Sequence, residues 1–205
     1  LFAASEQGVW YDPSDLSTMF QDTAGTVPVT ATGQSVARIN DKSGRGNHAT
    51  QATGASQPTL QNDGVNNYLL FDGADDFMVT ASLDMSATDQ VTACAGVRKL
   101  VDTQACLAEL SVTSTANAGT FFLAASGGGA ANYFFRSIGT LTSDRSTASS
   151  YAAPISNVFT GLGQISTDTN AVRINGAEVA NIATNQGTGN MGNYPLYIGR
   201  RGGTT

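Results

Sequence analysis

The chain has 205 residues, 40% of them hydrophobic but only 13% charged, with a formal charge of −6 and a pI near 4.5. That acidic balance argues against nucleic acid or an anionic membrane surface as a partner, and no apolar run approaches the roughly 18 residues that a membrane span needs. With just two lysines, Lys42 and Lys99, the polar surface has to be built from Ser, Thr, Asn, Gln and Gly.

The first residues, Leu1-Phe2-Ala3-Ala4, lack the basic start and long apolar stretch of a signal peptide. They also lack an initiator Met, so the expectation is a piece cut from a longer chain. One helix is expected early. In "WYDPSDLSTMF" Asp12 can cap, Pro13 suits the first helical position and Asp15 the third, with Leu16, Met19 and Phe20 on one face. Asp12 and Asp15 then serve as caps and not as a catalytic or metal-binding pair.

"SVARIN" (35–40) reads as a strand, and "DKSGRGN" (41–47) after it as a turn. Asp41 and Asn47 can fold back onto backbone N–H groups, and Gly44 and Gly46 supply positive φ. The same stretch fails as a phosphate loop, because Lys42-Ser43 precedes the glycines and no helical period follows. His48, the only histidine, has no second metal ligand of useful spacing. A glycine-rich turn is also a poor mount for a general base.

Further strands follow at 68–72, 77–81, 91–100, 105–112, 119–126, 132–137, 157–166, 170–174, 177–182 and 195–199, separated by Gly, Asn, Asp and Ser clusters. Asn175-Gly176 between two alternating runs is a strong hairpin signal. Cys94 and Cys106 sit in adjacent strand-like runs. A hairpin centred on Leu100 would set them opposite each other, although two small buried thiols is the simpler reading. Eleven short strands at roughly ten-residue spacing predict an antiparallel β-sandwich with one short N-terminal helix, forming a single domain over 1–205.

Hydrolysis of a glycosidic bond usually needs two carboxylates flanking it. The chain holds three glutamates, Glu6, Glu109 and Glu178, and no Glu-x-Asp-x-x-Glu run. No catalytic residue is assigned.

"DKSGRGNHAT", "YLLFDGADDFMVT", "VTACAGVRKL", "VRINGAEVA" and "YPLYIGRRGG" follow one another in an order that resembles laminin-G-like, concanavalin A-like jelly-roll domains. The N-terminal stretch "GVWYDPSDLSTMFQDTAGTVPVT" resembles the version found in bacteriophage tail-fibre proteins. The resemblance implies two antiparallel sheets, one convex and one concave, in a virion protein of the phage tail that recognises a bacterial surface polysaccharide or lipopolysaccharide. Other fibre chains, as in a homotrimer, are the further partners it implies. A fibre spacer or trimerisation module without ligand, and a polysaccharide depolymerase, are the alternatives.

Family members continue past "YIGRRGG" into another strand, so the chain is expected to run on beyond Thr205. For glycan binding the candidates are Tyr133, Arg136 and Tyr151, in or beside Gly/Ser-rich loops, and Trp10, which otherwise packs beside the helix. No cofactor is required. Calcium is a side option at Asp72, Asp75 and Asp76, since laminin-G relatives often bind it through loop aspartates.

Overall fold

The computed structural model describes residues 2, 6–114, 117–141 and 144–203, with 144–149 and 182 described by their backbone alone. The chain ends on which the sequence raises expectations, Leu1 with Ala3 and Ala4, and Thr205, lie outside the described residues. Among the described residues fifteen strands run in chain order: β1 Met19–Phe20, β2 Arg38–Ile39, β3 Ala49–Thr50, β4 Thr59–Asn62, β5 Asn67–Leu70, β6 Met78–Asp84, β7 Gln90–Lys99, β8 Ala105–Leu110, β9 Thr120–Ser126, β10 Asn132–Ile138, β11 Asp144–Ser149, β12 Ile155–Gln164, β13 Thr169–Ile174, β14 Ala177–Ile182 and β15 Asn193–Ile198. The protein is all-β, with antiparallel sheets in a sandwich arrangement compatible with a jelly roll. Its chain divides into two compact units, Leu1–Leu83 with Pro195–Arg200, and Asp84–Tyr194 with Arg201–Thr205.

In the first unit, short strands β1, β2, β3 and β6 follow one another in a sheet that continues into β15, and β4 and β5 form a separate hairpin. Met19, Val29, Val36, Ile39, Ala49, Leu60 and Met78 are its core, with Tyr11, Leu16, Leu69 and Ile198 packed against them. The predicted helix is reduced to a single 3₁₀ turn, Leu16–Thr18, and Met19 and Phe20 become strand β1. The reason is local. Asp12 Oδ1 accepts from Ser14 N at 3.0 Å, and Asp15 Oδ1 from Ser17 N at 3.2 Å, so each aspartate closes its own turn. Side chains of this kind compete with helix propagation. Lys42 then bridges both carboxylates, at 3.0 Å and 2.9 Å.

The "DKSGRGN" segment is the turn expected. Gly44 and Gly46 sit at φ +84° and +74°, a region that side chains rarely adopt. Asp41 accepts four hydrogen bonds, from the N–H groups of Trp10, Ser43 and Asn47 and the hydroxyl of Ser43. Asn47 departs from expectation: its amide donates to Gly8 O at 2.8 Å, holding a distant segment and not its own backbone.

The second unit is a sandwich of two antiparallel sheets, β8-β9-β10-β11 and β14-β13-β12-β7, with β10 packed on β12 and β13. Tyr133 and Phe135 from β10 and Phe159 from β12 are fully buried, and Phe121 and Leu123 from β9 nearly so. The two sheets can close here because β12 is narrow: a Cβ on Gly161 would lie 2.3 Å from the Phe135 ring, and one on Gly163 2.5 Å from Ser137 Oγ. Asn175 and Gly176, at φ +52° and +84°, form the two-residue turn predicted between β13 and β14, whose twist suits a hairpin.

The expected hairpin around Leu100 does not form. β7 pairs with β12, while β8 pairs with β9, so residues 100–104 carry the chain from one sheet to the other. Lys99 Nζ meets Asp102 Oδ1 at 2.8 Å and Ala153 N–H donates to the same carboxylate, which closes that crossing. Cys94 and Cys106 therefore lie in different sheets, and they are not joined by a disulfide. Cys94 is exposed, against the buried placement expected, and Cys106 is half-buried.

Candidate functional site

Strand alternation decides which residues of "NYFFRS" reach the surface. Tyr133 and Phe135 point into the sandwich, so Phe134 and Arg136 occupy the other face of β10. Across the ladder Ala124 is paired with Phe134, and Phe122 with Arg136. Phe122, Ala124 and Phe134 form a small apolar cluster joined by Cys106. Every residue of β9 is consequently buried, on both faces of its sheet.

A cleft of about 300 Å³ opens beside this cluster, lined by Gln104, Phe122, Gly127, Gly128, Asn132, Phe134, Arg136 and Arg201. Its floor is aromatic, with the rings of Phe122 and Phe134 tilted at 57° and 5.6 Å apart. Over that floor lie two guanidiniums, Arg201 at 4.5 Å from the Phe122 centroid and Arg136 at 5.4 Å from that of Phe134. Both distances suit a cation–π contact. The glycine-rich turn before β10 is held by Asn132, whose Oδ1 accepts from Gly127 N at 2.7 Å.

Arg201 is fixed from behind. Its Nε donates to Glu109 Oε2 at 3.2 Å, Gly202 N donates to the same oxygen at 3.1 Å, and its Nη2 donates to Ser114 O. Glu109 is almost fully buried. Burial pushes its carboxyl pKa up, and the hydrogen bonds and charge of Arg201 pull against that rise without cancelling it. Burial also pushes up the Cys106 thiol, with the nearby Glu109 charge adding to it, which is the opposite of what a reactive thiolate needs.

Of the residues singled out from sequence, only Arg136 belongs to this cleft. Tyr133 is a correction, because it has no exposed surface. Its ring lies 5.0 Å from Phe159 and 5.5 Å from Tyr151, and its hydroxyl accepts from Asn157 Nδ2 at 3.1 Å. Burial leaves it no face for a sugar. Tyr151 is half-buried, edge-on to Tyr133. Trp10 belongs to the other unit and is 48% exposed, against the packing expected of it. The Lys42 ammonium lies 5.0 Å from its ring centroid.

Phe122, Phe134, Asn132, Gln104 and Arg201 were missed. A signal for two of them was present: Asn132 and Phe134 lie two apart from each other and in step with Arg136, so the three share a face, whereas Tyr133 and Arg136 are three apart and cannot.

In the first unit, Asp72, Asp75 and Asp76 bring one carboxylate oxygen each within 4.8 Å of one another. Asp72 and Asp76 close the turn itself, and Asp75 ties it to Ser56. Asp72 Oδ1 accepts from the N–H of Ala74 and Asp75, Asp76 Oδ2 from Asp72 N, and Asp75 Oδ2 from Ser56 Oγ. Backbone donors, Ala74 N–H foremost, hold the Asp72 carboxyl below its usual range, while burial raises that of Asp76. Three oxygens could contribute to a calcium shell of six to eight, but hydrogen bonds within the turn and from Ser56 account for the cluster.

The laminin-G-like resemblance rests on the sequence motifs: no family model matches this chain, and no curated protein matches it either.

Proposed function

We propose that this chain is a recognition domain of a phage tail fibre, binding a bacterial surface polysaccharide or lipopolysaccharide during host attachment. The observation that carries the reading is the cleft on the face of the β8-β9-β10 sheet turned away from the core, where guanidiniums and amides rim an aromatic floor. Small-molecule sites typically combine an apolar lining with a few placed polar groups, and about 300 Å³ is at the small end of their range. That size suits a short saccharide segment. The sandwich architecture and the ordered motifs from "DKSGRGNHAT" to "YPLYIGRRGG" support the same reading.

Recognition without catalysis is supported by the described lining residues, none of which is a carboxylate. Glu109, the glutamate behind it, is occupied by Arg201 and Gly202. The proposed location is the virion tail, with other fibre chains as partners, in a homotrimer.

The test is binding of the purified chain to bacterial cells and to an array of surface glycans. Saturable binding to one glycan class supports the reading. Release of reducing ends would replace it with a depolymerase, and silence in both assays would leave a fibre spacer.

A further inference from the structure

We infer that the outer edge of β7 pairs antiparallel with β7 of a second copy of this chain, about a two-fold axis at Ala95, so that the β14-β13-β12-β7 sheets of two molecules become one. This interface goes beyond the carbohydrate reading and does not rest on it. A two-fold contact has no place inside a threefold ring, so in a fibre it joins a chain of one trimer to a chain of another.

The backbone supplies the first argument. Among the described residues β7 ends its sheet, with β12 as its one neighbour. Strand β12 shows which way each peptide group points. Asn175 N donates to Val158 O at 2.8 Å, so Val158 faces β13, and Asn157, Phe159, Gly161 and Gly163 face β7. Their partners there are Val97, Ala95, Ala93 and Val91. The N–H and C=O groups of Thr92, Cys94, Gly96 and Arg98 therefore point away from the sheet, and no described residue takes them up.

Such a row is a template for another strand, and natural edges are commonly blunted by proline, bulges or charge. Strand β7 is not blunted in this way. Its register with β12 is unbroken through all ten residues, it contains no proline, and Arg98 is the only charge among its exposed residues.

Self-complementarity selects a second copy as the occupant. Centring the pairing on Ala95 sets Cys94 against Gly96 of the other copy and Thr92 against its Arg98, so all four outward residues are matched. Small side chains meet at the axis, and the two Arg98 guanidiniums lie at opposite ends. Parallel pairing in register would bring them side by side, and like charges directly opposite destabilise a sheet. The core-facing side of the seam is apolar. Ala93, Ala95 and Val97 are only half-buried there. In this register Ala95 meets its own copy and Ala93 meets Val97, in the narrow pairs where side chains approach most closely. Each copy thus covers the apolar surface that the other leaves open.

The experiment is sedimentation equilibrium of the purified chain, from micromolar to near-millimolar protein, against the double variant Cys94→Lys with Gly96→Lys. Both positions are exposed, and Gly96 has nothing within 4 Å of its Cβ position, so the variant should melt like the parent. The parent should sediment at twice the mass of the variant, whose association should weaken about tenfold or more as lysine faces lysine. Mixing it with the double variant Cys94→Glu with Gly96→Glu should restore the doubled mass, because lysine then faces glutamate.

Should either double variant fail to fold, cross-linking decides. Positions 94 and 96 of opposite copies would have Cα atoms about 5.5 Å apart, within reach of a disulfide. Gly96→Cys should then cross-link through Cys94 under mild oxidation, and Cys94→Ser with Gly96→Cys should not. A parent of the same mass as the lysine variant overturns the inference and leaves this edge to a strand from another protein. So does a Gly96→Cys protein that fails to link, or that links equally without Cys94. None of these outcomes touches the glycan reading.

Discussion

The backbone N–H of Asp41 donates to Nδ1 of His48 at 3.0 Å, so the imidazole accepts and its proton resides on Nε2. On the other side of the same residue, the Asp41 carboxylate collects the N–H groups of Trp10, Ser43 and Asn47. One aspartate thus ties the histidine, the turn and the incoming N-terminal segment together. His48 is an acceptor within a structural turn, and the neutral imidazole is the form that turn requires.

A pH dependence follows. Burial and the Arg38 charge lower the His48 pKa, with Asp41 opposing them. The unfolded chain therefore binds the proton more readily than the folded one. His48 contributes stability that is fully present above the unfolded value of about 6.5 and is lost as pH falls from there through the lower folded value. With a single histidine in the chain, urea unfolding between about pH 7 and pH 5 should show this decline, and His48→Gln should flatten it. A parent protein equally stable across that window would contradict the assignment.

Much of the fold was legible in the sequence because strand signals here are local. All eleven predicted strands occur, and Asn175-Gly176 makes its turn, since alternation and φ > 0 need no knowledge of the partner strand. The strands that were missed, β1, β3, β4 and β11, include two of two residues each, too short for alternation to register. Pairing was less legible. "VTACAGVRKL" and "TQACLAEL" look like a hairpin, but the polar turn between them switches sheets, and only the long-range β7–β12 register reveals that. The site failed for another reason. Tyr133 was chosen for its residue type, while strand period 2 already set it opposite Arg136, and Arg201 reaches the cleft from nearly seventy positions further along the chain.

Gly161 is the clearest packing prediction. A methyl group there would meet the Phe135 ring at 2.3 Å, and Phe135 is fully buried with no space to swing into. Gly161→Ala should destabilise the protein by about 1–3 kcal/mol, visible as a lower urea midpoint at unchanged slope. Gly96, in the neighbouring strand β7, has nothing within 4 Å of its Cβ position. Gly96→Ala should leave the midpoint nearly unmoved, and equal losses at the two sites would show that packing is not the cause.

Tyr133 and Trp10 should separate fold from binding. Tyr133→Ala removes a fully buried ring from between Phe159 and Tyr151 and should cost about 3–5 kcal/mol. Any loss of cell binding in that variant is then a loss of structure. Trp10 is half exposed and touches Lys42 at cation–π distance, a contact worth about 0.5–1 kcal/mol at such a site. Trp10→Ala should unfold within about 1 kcal/mol of the parent. A Tyr133→Ala protein as stable as the parent would return that ring to the list of ligand contacts.

Glu109 and Asp41 are both almost buried carboxylates, yet they titrate in opposite directions. For Asp41 burial is the largest single effect and raises the pKa, but the hydroxyl and N–H of Ser43 and the N–H groups of Trp10 and Asn47 together outweigh it, so the net shift is downward. At Glu109 burial prevails over Arg201 and Gly202. A raised folded pKa means that stability is lost as pH rises through it, so the ionised carboxylate costs more inside than in water even with its arginine beside it. Buried pairs of this kind often add little net stability, although breaking one by removing a single partner is expensive. Arg201→Met should therefore cost about 2–4 kcal/mol near neutral pH, and part of that loss should return as pH falls and Glu109 takes up a proton. The double variant Glu109→Leu with Arg201→Met should lie within about 1 kcal/mol of the parent, since both charges leave together and the methionine keeps an apolar stem over Phe122. Urea unfolding of the parent, Arg201→Met, Glu109→Leu and the double variant gives the coupling directly. A double variant as unstable as Arg201→Met alone would mean that the pair is a net source of stability and that burial is not the dominant influence on Glu109.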